Sequence, residues 1–400
     1  MRKILLGIAI TSMLFTSCSS DDDSTNQNNS VEAPVTYKFM RDGKSTVSFA
    51  GQTTRIKMAM ELRSALGDNS KTAADLQGMF AHIEGKSDFS DADLNASDKS
   101  IRSKVGASKD YFAANTTGSN KIKSLMDSWI EEQATTVFAS WNAIATAGTA
   151  GQLQQAGGGK MRYVNGKGLE LDQAVSKTLI GGLMIDQMLN HYLSTSVLDE
   201  SSNIADNDNG VLNEGKFYTT MEHKWDEAYG YLYGNEIDPS TPILNADSFL
   251  NTYLKQVDSD VDFAGTASSV YDALKLGRAA IVAKNYKVRD EQIQIIREKI
   301  SKVPAVRAVH YLQEGKTKMA AGDTAGAFHA LSEAYGFINS LQFTRQPNDK
   351  VPYFTHVEVT AFMEDLMAGN GFWEVKPETL DAMASLIAAK FGFTVDAAAN

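Results

Sequence analysis

Apolar residues recur every three or four positions along most of this chain, a period typical of amphipathic α-helices. Glycine and proline interrupt the pattern at intervals and mark the expected helix ends. The pattern predicts helices over residues 53–66, 73–83, 121–147, 171–198, 217–234, 248–257, 268–285, 290–303, 305–321, 324–341, 355–367 and 376–391. The predicted fold class is therefore all-α.

Two short β-prone runs near the N terminus, residues 36–39 and 46–49, flank the segment Arg41-Asp42-Gly43-Lys44. An Asp-Gly pair between such runs favours a two-residue hairpin turn, because both residues tolerate a positive φ angle. We expect a short N-terminal β-hairpin here and no large sheet.

Pro239 and Pro242 break the helical pattern between residues 237 and 243. We therefore place a domain boundary at this point. An N-terminal helical bundle with the β-hairpin is expected over 36–236, and a C-terminal helical bundle over 237–400. The predicted architecture is two tandem helical bundles.

The helix predicted over 171–198 is apolar around most of its circumference and carries Gly181 and Gly182 in its middle. A glycine inside a helix costs about 1 kcal/mol relative to alanine. We expect close approach of a neighbouring helix to offset this cost, which makes the segment the central helix of a bundle. The preceding segment, residues 148–168, is rich in glycine and glutamine and predicts a flexible connection.

The first 17 residues have the pattern of a signal peptide. Arg2 and Lys3 precede an apolar run over residues 4–15, which is too short to span a bilayer. The run ends in Leu-Phe-Thr-Ser-Cys18, which resembles the lipobox of bacterial lipoproteins. The resemblance implies that Cys18, the only cysteine of the chain, becomes the lipidated first residue of the mature protein.

Residues 18–35 are polar and predict a flexible tether behind the lipidated cysteine. The acidic run 21–23 resembles the surface-export signal of lipoproteins in the Bacteroides–Flavobacterium group. The expected location is therefore the outer membrane, with the protein exposed at the cell surface and attached to the membrane through its N-terminal lipid.

The charge of the chain argues against nucleic acid as a partner. The 400 residues include 38 Lys and Arg against 49 Asp and Glu, a formal net charge of −11. Removal of Arg2 and Lys3 with the signal peptide takes this charge from −11 to −13. A nucleic-acid-binding domain usually carries a basic surface.

The segment Phe217–Gly234 is the part of the chain richest in groups that can do chemistry. At about 100° per residue, its apolar arc comprises Met221, Trp225, Ala228, Tyr229 and Leu232. The opposite arc comprises Glu222, His223, Asp226 and Glu227. An imidazole one turn from two carboxylates can ligate a metal or act as a general base. The alternative is the solvated face of an ordinary helix.

The pair His223-x-x-Asp226, followed by Tyr229 and Gly234, is similar to the G-x-H-x-x-E motif of imelysin-like proteins, with Met221 in place of the glycine and aspartate in place of the glutamate. Segments 168–182, 221–231 and 277–280 resemble domain-of-unknown-function family 4856, a family of Gram-negative lipoproteins. The resemblance implies two all-α bundles. Imelysin-like proteins are associated with bacterial iron uptake, and their histidine motif with a metal site.

The leading hypothesis is a non-enzymatic, lipid-anchored binding protein that serves iron or haem-iron acquisition. Its metal ligands would be His223 and Asp226, with Glu222 and Glu227, and iron or another divalent metal would be the cofactor. His191 or Glu131 from neighbouring helices are candidates to complete the ligand set. An outer-membrane transporter is the expected protein partner.

Two alternatives remain open. A surface lipoprotein that binds a glycan or a peptide would use aromatic side chains for stacking, with Trp129, Trp141, Trp225 and Trp373 as candidates. A metal-dependent hydrolase ranks last, because no nucleophile or base occurs at a specific spacing. The isolated histidines are expected to be structural; they are His82, His191, His310, His329 and His356.

Overall fold

The computed structural model describes residues 31–399. The predicted signal peptide, Cys18 and the tether up to residue 30 lie outside the described residues. From Val31 onward the chain forms one compact unit. Within residues 31–399, no helix combines the length and apolar character that crossing a bilayer requires.

The described chain is built mainly from helices. Its first part comprises β1 (Met40–Arg41), β2 (Lys44–Ser45), α1 (Ala50–Ala65), α2 (Ala73–Phe80), α3 (Ala92–Asn95), α4 (Lys109–Phe112) and α5 (Thr116–Glu132). There follow β3 (Gly151–Gln154), β4 (Met161–Val164), α6 (Leu171–Leu179), α7 (Thr195–Leu198), α8 (Asn203–Asp208) and α9 (Thr220–Tyr233). The last part comprises α10 (Leu250–Ser259), α11 (Thr266–Val282), α12 (Tyr286–Ala320), α13 (Thr324–Ser340), α14 (His356–Leu366), α15 (Pro377–Phe391) and α16 (Val395–Ala399). This order confirms the all-α class.

The predicted N-terminal hairpin is present. Strands β1 and β2 pair in antiparallel register, with Met40 opposite Ser45 and Arg41 opposite Lys44. Asp42 and Gly43 form the turn at φ angles of 52° and 72°. Positive φ at both central residues is the requirement of the type I′ turn that Asp-Gly favours.

A second hairpin replaces the flexible connection predicted over 148–168. Strands β3 and β4 pair over four residues each, from Gly151 opposite Val164 to Gln154 opposite Met161. The ring of Tyr163 stacks on that of Trp141, with centroids 3.4 Å apart. The prediction was wrong because a glycine-rich composition gives no signal for a strand pair. Stacking of Tyr163 on Trp141, which lies outside the segment, orders this pair.

Helix α12 contradicts the break that we predicted at Pro304. The helix continues through this proline for 35 residues. Proline has no backbone N–H for the carbonyl four residues earlier, a defect that costs about 3 kcal/mol. Pro304 is buried, and α12 packs along α11, α13 and α15. Packing on both sides of the proline thus outweighs the lost hydrogen bond.

Residues 36–236 and 237–400, which we predicted to form separate bundles, share one core. The buried apolar residues form a single continuous cluster that draws on both segments. Helix α6 packs on α13, and α9 packs on α11. The chain on the two sides of residue 237 therefore belongs to one compact unit.

The central helix lies in the middle of this core. Helix α6 continues through π-helical turns at Ile180–Ile185 and Met188–Tyr192. A Cβ atom added at Gly181 would lie 2.5 Å from the Cβ of Ser340 on α13. The Gly181 N–H also donates to the Ser340 hydroxyl, at 3.1 Å. Glycine therefore permits the close helix approach that the sequence predicted.

Candidate functional site

Helix α9 begins with a capping box. The Thr219 hydroxyl accepts a hydrogen bond from the Glu222 N–H, and the Glu222 carboxylate accepts one from the Thr219 N–H. This reciprocal pair satisfies two backbone donors that the first helical turn leaves without a partner. The cap also fixes the position of Glu222, the first of the predicted site residues.

Glu222 and Asp226 both bind one guanidinium. Arg278 on α11 donates to Glu222 Oε1 at 3.1 Å and to Asp226 Oδ1 at 3.0 Å. Its third nitrogen donates to the Thr46 hydroxyl at 3.0 Å. The Arg278 side chain and both carboxylate side chains are at most 1% exposed. The three ionised groups form a buried ion-pair network.

The N-terminal segment completes this network. Arg41 binds both oxygens of Glu222, at 2.9 and 3.0 Å. The Tyr37 hydroxyl donates to Asp226 at 2.7 Å, and the Ser48 N–H donates to it at 3.3 Å. The segment from Tyr37 to Ser48 is therefore fastened over α9 by charge-assisted hydrogen bonds.

Burial and the arginines act in opposite directions on the two carboxyls. Burial acts to raise the pKa of Glu222, but Arg278 and Arg41 outweigh it and hold the pKa below its ordinary value. Burial raises the pKa of Asp226 to about 6, although Arg278 and Tyr37 favour its charged form. Both groups are expected to be ionised at neutral pH.

The alternative of a solvated polar face is wrong for two of its four residues. Glu222 and Asp226 are buried, while His223 and Glu227 are half-buried. A helical wheel cannot reveal this difference, because the N-terminal segment and α11 cover the arc that carries the two buried carboxylates.

His223 and Glu227 form a second, separate pair. His223 Nδ1 lies 3.1 Å from the Ser48 carbonyl, and its Nε2 lies 3.9 Å from Glu227 Oε2. Lys224 and Gln52 donate to the Glu227 carboxylate at 3.0 and 3.1 Å. The His223 ring also stacks on Tyr218. Burial lowers the pKa of His223, so its ring is expected to be neutral at pH 7.

The four predicted ligands therefore do not converge on one point. The oxygens of Glu222 and Asp226 bind arginines, and only His223 and Glu227 face one another. His191 accepts from the Lys109 N–H at 3.1 Å, and burial together with nearby lysines lowers its pKa to about 4. Within residues 31–399, no three His, Cys, Asp or Glu side chains are placed to hold a metal. Metal binding on α9 stays a prediction.

A different set of polar groups lies in an open cleft beside α10, α12 and α13, which we call the polar cleft. Its volume is about 600 Å³. The charged and imidazole side chains that line it are Lys255, Arg307, His310, Glu314, His329 and Glu333. Clefts with convergent polar groups are the usual place for ligand sites.

One wall of the polar cleft rests on a buried ion pair. Lys177 of α6, only 1% exposed, lies 3.0 Å from Glu333 of α13. Gln173 accepts from the Lys177 ammonium at 2.9 Å, and the Tyr253 hydroxyl donates to Glu333 at 3.1 Å. Burial acts to raise the pKa of Glu333, but Lys177 and His329 outweigh it and lower the pKa to about 2. Glu333 is thus a fixed carboxylate at neutral pH.

A second buried carboxylate orients the histidine beside it. His329 Nδ1 lies 2.7 Å from Glu170 Oε2, and the Glu170 N–H donates to the Ser332 hydroxyl at 2.9 Å. Next to Glu170, burial raises the pKa of Asp172 to about 6. A histidine held by a carboxylate through one nitrogen keeps its other nitrogen for a ligand.

Sequence reasoning missed the polar cleft. We expected His329 to be an isolated structural histidine, although Glu333 follows it by one helical turn. That spacing was the available signal. The partners Glu170 and Lys177 lie 159 and 156 residues away along the chain, and no local pattern joins them to α13.

Comparisons with known proteins identify the family. A family model described as Domain of unknown function (DUF4856) matches residues 34–394. This match confirms the family that segments 168–182, 221–231 and 277–280 predicted. No curated protein and no solved structure matches the chain. The likeness to imelysins stays a prediction.

Proposed function

The chain belongs to the DUF4856 family, and we propose that it is a lipid-anchored protein of the outer membrane and cell surface that binds a glycan in the polar cleft. The N-terminal sequence supports the anchor: a basic start, a short apolar run and Cys18. A protein of this kind would pass its ligand to an outer-membrane transporter.

The choice of a glycan as the ligand rests on the charges that line the polar cleft. Two basic side chains, Lys255 and Arg307, face two acidic ones, Glu314 and Glu333. The formal charges of these four lining side chains sum to zero, and both carboxylates are already paired with lysines outside the lining, Lys177 and Lys318, so the cleft offers no free carboxylate to a cation. Its donors and acceptors suit a neutral ligand rich in hydroxyl groups, each of which both donates and accepts.

The lining of the cleft is held in place by partners behind it. Lys177 and Tyr253 fix Glu333, and Glu170 fixes His329. Polar groups positioned in advance lose little conformational entropy when a ligand binds. This rigidity supports a binding site over an ordinary polar surface groove.

The first test is a glycan array probed with the soluble chain from residue 33 onward. We expect binding to a restricted set of glycans, unchanged by a chelator. His329→Ala and Gln256→Ala, both in the cleft lining, should each weaken the affinity by about tenfold, the cost of one lost ligand hydrogen bond of about 1.4 kcal/mol.

His356→Ala is the matched control, because this histidine, like His329, contacts a neighbouring side chain through Nδ1, here that of Gln342, but it lines a different cavity. It should bind as tightly as the parent. Melting temperatures check that each variant is folded. No glycan binding, or equal affinity in the parent and both cleft variants, would refute the proposal.

A second candidate function is binding of iron or another divalent metal at His223 and Glu227. The specific observation in its favour is the His223 ring, whose Nδ1 faces the Ser48 carbonyl while Nε2 faces Glu227 at 3.9 Å. This separation is too long for a hydrogen bond, and two ligands of one metal can span it. A backbone carbonyl on the other ring nitrogen is the usual support of a metal-binding histidine. Glu222 and Asp226 would not be ligands, because they bind Arg278.

Metal titration of the soluble chain tests this candidate. His223→Ala should weaken iron binding at least about tenfold and leave the helical content unchanged, whereas Glu378→Ala, at an exposed position on α15, should leave binding unchanged. Equal affinity in the His223→Ala variant and the parent would rule out the His223 site.

A further inference from the structure

Within residues 31–399, Arg297 of α12 is buried without a carboxylate partner. Its side chain donates to the Leu193 carbonyl at 3.0 Å, to the Pro347 carbonyl at 3.2 Å and to Gln294 Oε1 at 3.4 Å. All three acceptors are uncharged. Its Nε atom is buried and has no hydrogen-bond partner within the described residues.

Three of the other four buried arginines among residues 31–399 have a counter-ion, whereas Arg55 donates to carbonyl oxygens. Arg289 binds Asp199, and Arg345 binds Asp110. Among residues 31–399, no salt bridge reaches Arg297, which is only 6% exposed. Burying a charge without a partner costs several kcal/mol, as a rough figure, so an unpaired buried guanidinium indicates that a counter-ion comes from outside the chain.

Arg297 lines a small pocket that opens to solvent. Arg345, Lys350, Thr195 and Asn348 line the same pocket and add further donors. Burial, with Arg345 nearby, lowers the pKa of Arg297 to about 10, a direction that a bound anion would reverse.

Two carboxylates also line this pocket, and each has a partner of its own. Asp290 accepts from the Arg289 guanidinium at 2.8 Å. Asp349 accepts from the Lys350 N–H at 2.6 Å. Within residues 31–399 neither carboxylate forms a salt bridge with Arg297; Asp290 and the nearby Asp110 favour its charge only at longer range, so the pocket still lacks a directly bound counter-ion.

We propose that the Arg297 pocket binds one small oxyanion, in the form of a phosphate, sulfate or carboxylate group. The pocket volume is about 160 Å³. It is smaller than the ~300 Å³ at which sites for drug-sized ligands begin. A planar guanidinium has pairs of N–H donors whose spacing matches the paired oxygens of such a group. This inference is independent of the function proposed for the polar cleft.

The experiment measures the melting temperature of the soluble chain against increasing phosphate, sulfate or acetate, with sodium chloride added to hold the ionic strength constant. The parent should gain stability with at least one anion, because a ligand that binds only the folded state stabilises it. The anion with the largest effect distinguishes a tetrahedral group from a carboxylate.

Arg297→Gln should abolish the anion-dependent gain, and Arg297→Lys, which keeps the charge but loses the planar donor pair, should weaken anion binding about tenfold. Lys302→Gln is the matched control on the same helix, because Lys302 pairs with Glu298. The Lys302→Gln variant should keep the full anion-dependent rise in melting temperature.

The proposal is overturned if no anion stabilises the parent beyond chloride at equal ionic strength. It is overturned equally if Arg297→Gln gains as much stability from the anion as the parent does. Because each variant is compared with itself in chloride, a general loss of stability in Arg297→Gln does not affect the result.

Discussion

Replacing Arg278 with alanine should lower the free energy of unfolding by about 3–5 kcal/mol. Arg278 is the only cation that binds both Glu222 and Asp226 within the described residues, and it lies fully buried between them. Its removal would leave two buried carboxylates, of which Glu222 keeps Arg41 and Asp226 keeps only uncharged donors. Most of the expected loss in the free energy of unfolding comes from burying the Asp226 charge without a cation.

Urea unfolding followed by circular dichroism measures the effect. Arg102→Ala is the matched control, because the Arg102–Asp127 pair is partly exposed and should contribute about 0–1 kcal/mol. Adding Asp226→Asn to Arg278→Ala should restore part of the lost stability, since the variant then buries one charge fewer. A loss below 1 kcal/mol in Arg278→Ala would contradict this account of the network.

Gly181→Ala should destabilise the fold by about 2–3 kcal/mol, although alanine is the better helix former. The new methyl group would lie 2.5 Å from the Cβ and 2.6 Å from the Cα of Ser340. Because a backbone atom of α13 is involved, no side-chain rotation relieves the clash. The helical segment that carries Gly181 and helix α13 would have to move apart. This movement would weaken the hydrogen bond from the Gly181 N–H to the Ser340 hydroxyl.

Gly182→Ala is the neighbouring control. Its methyl group would meet the edge of the Phe343 ring at 3.3 Å, which a small rotation of that ring relieves, and Val105 at an ordinary contact distance of 3.5 Å. The loss should therefore stay within about 1 kcal/mol. The same denaturation experiment compares both variants, and equal losses would show that the contact with Ser340 does not determine the cost.

Local signals in the sequence were sufficient for several features. The turn at Asp42 and Gly43 and the close approach at Gly181 both depend on residues near one another in the chain or on one unusual residue type. The apolar periodicity predicted most of the helices for the same reason. The family resemblance likewise rested on short contiguous segments, and the family match confirms it.

Features that depend on distant partners could not be predicted. The burial of Glu222 and Asp226 requires Arg278, more than 50 residues away. The continuation of α12 through Pro304 requires packing against helices on both sides. The wall of the polar cleft requires α6 to pack against α13, and neither helix carries a sequence motif that identifies the other as its packing partner.

Hydrogen exchange of the soluble chain, with and without the glycan that binds best on the array, tests the central claim most directly. The account predicts slower exchange in α10, in α12 near Arg307 and His310, and in α13 near His329, with α9 unchanged. Protection confined to α9 around His223, or no protection beside the polar cleft, would contradict the claim that this cleft is the ligand site.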